Sequence, residues 1–377
     1  MNASFVLDPA LFTPVEREIV TADGLWARAF RYPTGVAGLR LGNGRGHIAI
    51  LPWMGQIVWD AVFDGVRLTM DSLFEAPHPA TEIIDTYGCF AFHSGLLRNG
   101  CPGPADTHLL HGEMACAPMD SAVLTVGQDA DGAFIRLSGE RRYARGFGDR
   151  YVARPAVTLH AGATLFDIAM DVTNTGGRPM ELMYMCHVNF AWEEGAELIQ
   201  PAQFDSASVV VRTAVPAHVP SDPALLARIA ALAADPSPTR RLNAAFGYDP
   251  EQVFYLRGLG HDTAGDTRLM LRRPQGDGFA IAYSTHRFPH TVRWLLHSAD
   301  HRVAAFALPS TCEPEGYLAE RAKGHVQTIA PGGQAAFTVR AGYLDASAAD
   351  DETVAIAALT LLPGFPDQLR RFRGDAG

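Results

Sequence analysis

The densest concentration of reactive side chains lies between Phe90 and Cys116, in FAFHSGLLRNGCPGPADTHLLHGEMAC. His93, Arg98, Asn99, Asp106, His108, His111 and Glu113 stand there among turn residues. Polar groups on loops carried by a rigid scaffold are a common setting for binding and catalysis. On a strand, His111 and Glu113 would share a face and His108 would not. On a helix, His108 and His111 could ligate one metal. Pro102, Gly103, Pro104 and Gly112 argue against a helix here. Three readings stand: a metal-free catalytic or binding histidine, structural histidines, and a metal centre built on His93, His108, His111 and Glu113.

Further along, VTNTGGRPMELMYMCHVNFAWEE spans Val172 to Glu194. Its apolar strand carries His187 and Asn189 on alternate positions, so both face one way while Cys186, Val188 and Phe190 face the other. With Trp192 nearby, the pair forms a polar pocket with an aromatic wall, or else a satisfied histidine at a strand end. Cys186 points away from His187, which excludes a Cys–His nucleophile pair. Asp249, in FGYDPEQVFYL, reads by itself as a turn aspartate before a strand. Glu313 and Glu315, in LPSTCEPEG, sit two apart in a loop and are either site carboxylates or a solvated acidic turn. No GxGxxG, GxxxxGK[ST], GxSxG or HExxH occurs, so phosphate-cradling loops, a hydrolase elbow and a zincin site are unsupported.

The elements that must position these residues are strands. Alternating or apolar runs bounded by turn signals appear at 47–51, 57–63, 122–127, 133–137, 151–160, 164–172, 180–189, 252–257, 268–272, 279–284, 292–296, 304–308 and 335–343. Asp64-Gly65 and Asp131-Gly132 mark hairpins. One clear helical pattern follows Ser221, a plausible N-cap, with Pro223 in the first turn and Leu225, Leu226, Ile229 and Leu232 at helical spacing. A second helix is expected over 351–361. Strands do not alternate regularly with helices, which excludes a parallel α/β sheet. The expected fold is an all-β, large antiparallel sandwich forming a single domain over 1–377. Residues 1–37 form an N-terminal extension wrapping the outside, and 221–236 a helical insertion.

Composition agrees. The chain has 377 residues, 47% hydrophobic and 19% charged, with 36 Gly and 25 Pro, which favours many turns and short strands. With 41 acidic against 31 basic residues the net charge is −10, and no Lys/Arg cluster occurs, so neither nucleic acid nor an anionic membrane surface is an expected partner. No apolar run approaches the roughly 20 residues of a membrane span. Without a visible secretory signal, and with five scattered cysteines and no CxxC, a cytoplasmic protein with reduced thiols is expected.

Taken in order, these segments resemble the aldose 1-epimerase (galactose mutarotase) superfamily, and more closely its divergent bacterial branch of unknown function. GHIAILPWMGQIVWDAVFDG resembles the family's first strands. LLHGE resembles its Leu-His-Gly motif, TN followed by CHVNF its second histidine strand, and GYDPEQVFYL its Gly-Tyr/Phe-Asp segment. FPHTVRWL followed by FALPST resembles a Pro-to-Trp segment and the next strand of the divergent branch. The likeness spans about residues 38–343. It implies a mutarotase-like β-supersandwich acting on a small-molecule sugar without a cofactor or metal. It implies that His187 is the acid protonating the ring oxygen, that His111 bonds the developing carbonyl, and that Arg98, Asn189, Trp192 and Asp249 hold the sugar. His111, His187 and Asp249 should line one cleft. One departure matters: where the family carries a catalytic glutamate, this chain has Leu308. Glu313 would then supply the base, with Glu315 as the fallback. The alternatives are a non-catalytic sugar-binding or regulatory module, a metal-dependent sugar isomerase or lyase, and another carbohydrate reaction on the same fold.

Overall fold

The strand pattern read above assembles into two antiparallel sheets in the computed structural model, which describes residues 2–215, 219 and 221–360. The smaller sheet has nine strands. Its centre is the run Ser121–Asp129, Gly132–Ala144, Arg150–His160 and Leu165–Asn174, continued by Gln334–Leu344 and Gly278–Ser284. The larger sheet carries the site. We label its key strands β1 (Ala91–Leu96), β2 (Met180–Val188), β3 (Gln252–Leu256), β4 (His290–His297) and β5 (Arg302–Ser310). Their spatial order is β3-β4-β5-β2-β1, and the sheet then continues through Val58–Phe63 into a meander that runs back to Arg17–Ala22. Asp64 and Gly65, both at positive φ (49° and 79°), close the Val58–Phe63 hairpin in the backbone region that tight hairpin turns require.

Period-two alternation decides which side chains go where. Along β2, Tyr184, Cys186 and Val188 enter the core between the sheets, while Met185 joins a second apolar cluster on the opposite face. Along β3, Phe254 and Leu256 go inward while Val253 and Tyr255 go outward. A register shift in β4 between Val292 and Trp294 sets two β5 residues, Phe306 and Ala307, opposite Arg293. Both enter the inner core, and Leu308 is thereby turned onto the outer face beside Val292. A bulge of this kind re-aims the side chains that follow it. The face so defined, carrying Phe92, Met185, Val253, Tyr255, Val292, Trp294 and Leu308, is where the site is found.

Four local expectations change. Residues 1–37 do not wrap the outside: Ala3–Val6 forms the edge of the smaller sheet, and Arg17–Ala22 and Leu25–Arg31 extend the larger one. The insertion helix α1 (Pro223–Ala234) is capped by Asp222 rather than Ser221; the Asp222 carboxylate accepts from Leu225 N–H at 2.7 Å. A short helix α2 (Tyr317–Ala322) follows the Glu313–Glu315 loop and was not anticipated. The last helix, α3 (Ala346–Thr360), starts five residues before the expected one; Leu361 lies outside the described residues. Among the described residues no helix is long and apolar enough to cross a membrane, and all five cysteines are unpaired thiols.

Candidate active site

The site is built around two imidazoles. His187, at the end of β2, and His111, on the loop after β1, meet with ring centroids 4.9 Å apart and planes near perpendicular. Phe92 of β1 stacks on His187 at 4.6 Å. Each ring is held by a chain of hydrogen bonds that assigns its tautomer. Asn189 Nδ2 donates to the Cys89 carbonyl at 3.0 Å, so Asn189 Oδ1 is the acceptor for His187 Nδ1–H at 2.8 Å. His187 Nε2 is therefore a lone pair, and it accepts the Tyr87 hydroxyl at 3.2 Å. Burial alone holds the His187 pKa down to about 3, against a smaller opposing contribution from Asn189, so the ring is neutral at pH 7. His111 Nδ1 bonds Ser94 Oγ at 3.0 Å; the Ser94 hydroxyl donates to Asn99 Oδ1, and Asn99 Nδ2 donates to Cys312 Sγ.

The loop that delivers His111 depends on close backbone packing. His111 has φ +60°, and Gly112 follows at +76°. A Cβ on Gly112 would lie 1.9 Å from the Arg98 carbonyl oxygen, so only glycine fits beside this histidine. His111 N–H donates to Gly100 O, and its carbonyl accepts from Gly95 N–H.

Above the imidazoles the wall is aromatic and the rim is charged. Tyr87 lies edge-on to Trp294 with centroids 5.6 Å apart, and Trp294 lies 5.7 Å from His187. Trp294 Nε1 donates to one Glu251 oxygen at 2.6 Å, and Arg212 pairs with the other at 2.6 Å. Tyr255 donates to Glu315 Oε1. Glu251 and Cys101 are within electrostatic reach of Tyr87, and Glu315 of Arg212 and Cys101, so these groups border one region. Burial pushes the Cys101 thiol up to about 11, which keeps it protonated.

The structure thus brings His111, His187 and Asn189 together, and the other four candidates are engaged with different partners. Asp249 is exposed, and its backbone carbonyl accepts from Arg228; the carboxylate of that segment on the cleft rim is Glu251. Trp192 packs on Tyr248 and His297, on the side of the inner core, so the indole beside His187 is Trp294. The Arg98 guanidinium lies 3.7 Å over the Tyr317 ring. Glu313 is buried in ion pairs with Arg257 and with Lys323, the latter at 2.7 Å. Burial pushes its pKa up, but bonds from Lys323 and Arg257 outweigh this and leave the carboxyl below its usual value. A carboxylate neutralised twice over is a poor base.

The proposed metal set does not converge either. His93 bonds Tyr184 OH on the inner face, and Glu113 Oε1 accepts from Leu96 N–H, Leu97 N–H and Tyr151 OH. Among the described residues, one His/carboxylate group has metal-compatible spacing: Glu313, Glu320 and His325. Lys323 Nζ already bridges its two glutamates at 2.7 and 2.8 Å. Sequence reasoning missed Tyr87, Ser94, Trp294, Arg212 and Tyr255. Alternation along HTVRWLLH could have singled out Trp294; no local signal distinguishes Tyr87.

Two buried imidazoles make an acid-sensitivity prediction. His187 and His93 have folded pKa values of about 3 and 4 through burial, against 6.5 when exposed. Between pH 6.5 and about 4 the unfolded chain therefore binds up to two more protons than the folded one at these sites. Stability should fall as pH drops through this window, with a slope of up to about 1.4 kcal/mol per pH unit for each histidine. Urea unfolding at successive pH values reads this slope directly; a flat profile from pH 7 to 5 contradicts it.

Residues 34–342 match the family described as Domain of unknown function (DUF4432). No curated protein matches significantly in sequence. Among solved structures, a candidate aldose 1-epimerase from Klebsiella pneumoniae superimposes with TM-score 0.80 at 18% identity, over 96% of each chain. A candidate aldose 1-epimerase from Escherichia coli gives 0.51 at 14% identity, over 81% of this chain and 97% of that one. A galactose mutarotase-like protein from Clostridium acetobutylicum gives 0.54 at 11% identity, over 86% and 100%. At these identities the likeness is one of fold, and the fold is galactose mutarotase-like.

Proposed function

We propose, from the premise that this chain belongs to the DUF4432 family, that it interconverts the anomers of a small-molecule sugar by acid–base catalysis in the cleft built around His111 and His187. The observation that carries this reading is the pair itself. Two imidazoles stand at 4.9 Å, each held in one orientation by its own hydrogen-bond chain, beside the indole of Trp294. Anomer exchange needs only one proton acceptor and one proton donor on the two oxygens of C1, with no metal or cofactor. An indole face suits the apolar face of a pyranose, and the rim of Arg212, Glu251 and Glu315 suits its hydroxyls. Both Glu251 oxygens are already bonded, to Arg212 and Trp294, so we assign Glu251 a holding role. Glu315 replaces Glu313 as the loop carboxylate that reaches the sugar.

A second reading, a sugar-binding module without catalysis, is favoured by Leu308 on the site face of β5. One experiment separates the two. Freshly dissolved α-anomers of a panel of neutral, acidic and phosphorylated aldoses are followed by polarimetry with and without protein, and binding is followed in parallel by calorimetry. Anomerase activity predicts an exchange rate rising in proportion to protein concentration for at least one sugar. Binding without acceleration establishes the module, and neither result for any sugar removes both readings.

A further inference from the structure

We propose that Tyr87 and His187 exchange the two protons of the reaction as one hydrogen-bonded unit, with His187 as the acceptor and Tyr87 as the donor. This rests on the anomer-exchange reading above and reverses the acid role expected of His187. The tautomer argument carries it. Because Asn189 Oδ1 takes the Nδ1 proton, Nε2 has none to give, and the proton on the Nε2 hydrogen bond belongs to Tyr87. The group that can protonate a ring oxygen here is therefore the phenol, and the group that can receive a proton is Nε2. Burial sets the resting forms, His187 unprotonated and Tyr87 protonated; it also makes Nε2 a weak base and the phenol a weak acid, so the exchange depends on the two protons moving together.

The geometry suits the reaction. Donor oxygen and acceptor nitrogen are 3.2 Å apart. A cyclic sugar carries its hydroxyl and its ring oxygen on the same carbon, so a donor–acceptor pair this close can meet both at once. In ring opening, Nε2 takes the C1 hydroxyl proton as the C1=O bond forms. The C1–ring oxygen bond breaks, and the ring oxygen takes the Tyr87 proton. His187 is left protonated and Tyr87 ionised, adjacent and oppositely charged. The Nε2 proton then passes along the existing hydrogen bond to the phenolate, restoring the resting pair. After C1 presents its other face, closure repeats the exchange with the two sugar oxygens in reversed roles. Atoms and charge balance without a carboxylate, which gives a physical account of a site that tolerates Leu308 on its floor.

The test combines a variant with a measurement that needs none. Tyr87→Phe keeps the ring against Trp294, Phe92 and His111 and removes the hydroxyl. We expect kcat to fall by about 10²–10⁴-fold, the usual size of a general acid–base contribution. Calorimetric sugar affinity should stay within about threefold, a split that a merely structural tyrosine would not produce. In the wild type, the rate measured across mixtures of H2O and D2O should curve quadratically with deuterium fraction, because two protons move together. A Tyr87→Phe rate within twofold of wild type, or a linear wild-type dependence, overturns the proton-exchange unit and leaves anomer exchange standing. A wild type that accelerates no anomer exchange overturns both. If the variant melts at a lower temperature and cannot be assayed, the isotope dependence decides alone.

Discussion

His187→Gln is expected to lower the rate of anomer exchange by about 10²–10⁴-fold or more, since it removes the acceptor nitrogen from the reacting pair. Glutamine offers an amide of similar reach, but its basicity is negligible. The substitution also has a structural cost. His187 Nδ1–H bonds Asn189 Oδ1 at 2.8 Å, and Asn189 is fully buried. An unpaired buried acceptor costs about 1–3 kcal/mol, and stacking on Phe92 is lost as well. The variant should therefore unfold at lower urea yet remain folded in water. His93→Gln is the matched control. His93 is equally buried but lies on the opposite face of the sheet, bonded to Tyr184, so it should lose stability with the per-molecule rate retained. Polarimetry on folded samples of both variants checks the contrast. A His187→Gln rate equal to wild type would remove this imidazole from the chemistry.

The second large effect is on stability. Glu320 of α2 has no exposed surface. Its carboxylate accepts from the Glu313 backbone N–H at 2.8 Å, from Lys323 Nζ at 2.8 Å and from His325 Nδ1 at 2.7 Å. Glu320→Ala strands a buried N–H and breaks a buried ion pair, which costs about 3–5 kcal/mol when one partner is removed. The Lys323 side chain is 38% exposed and can rehydrate, which favours the lower end of that range. Urea denaturation should show the loss, while the exchange rate per folded molecule holds. The rate is expected to hold because the network anchors the loop carrying Glu313 and is not itself the acid–base pair. A loss of rate at unchanged stability would instead return this carboxylate cluster to the reaction.

The two cases show how unevenly the site was legible. The sequence placed His187 and Asn189 on one face of one strand, and they share that face and a hydrogen bond. It also marked His111 in a glycine-bounded loop. The family resemblance pointed to Asp249, whereas the rim carboxylate of that segment is Glu251, two residues on; nearness to Leu308 pointed to Glu313 ahead of Glu315. In both segments the choice concerns side chains at the edge of an element, where period-two alternation has not begun or has ended. The aromatic wall was assigned to Trp192 by proximity in sequence to His187. Past the end of β2 the chain carries Trp192 toward Tyr248 instead, and Trp294 comes to His187 from a strand more than a hundred residues later.

By itself the sequence determined an antiparallel β fold, most of its strands after residue 46, and the alternation of side chains within them. These follow from local periodicity and turn chemistry, which act over a few residues. It did not show the strands before residue 47, Ala91–Leu96, or the bulge that re-aims Leu308. Only the tertiary structure decided which carboxylate is neutralised and which remains on the cleft rim. Arg257 and Lys323 come from separate elements to pair with Glu313, whereas Tyr255 reaches Glu315 with a hydroxyl. It also decided the protonation of the imidazole, because the tautomer of His187 depends on the Cys89 carbonyl 98 residues earlier, read through Asn189. Charge pairing and proton position depend on partners brought together across the sheet, and no local spacing in the chain encodes them.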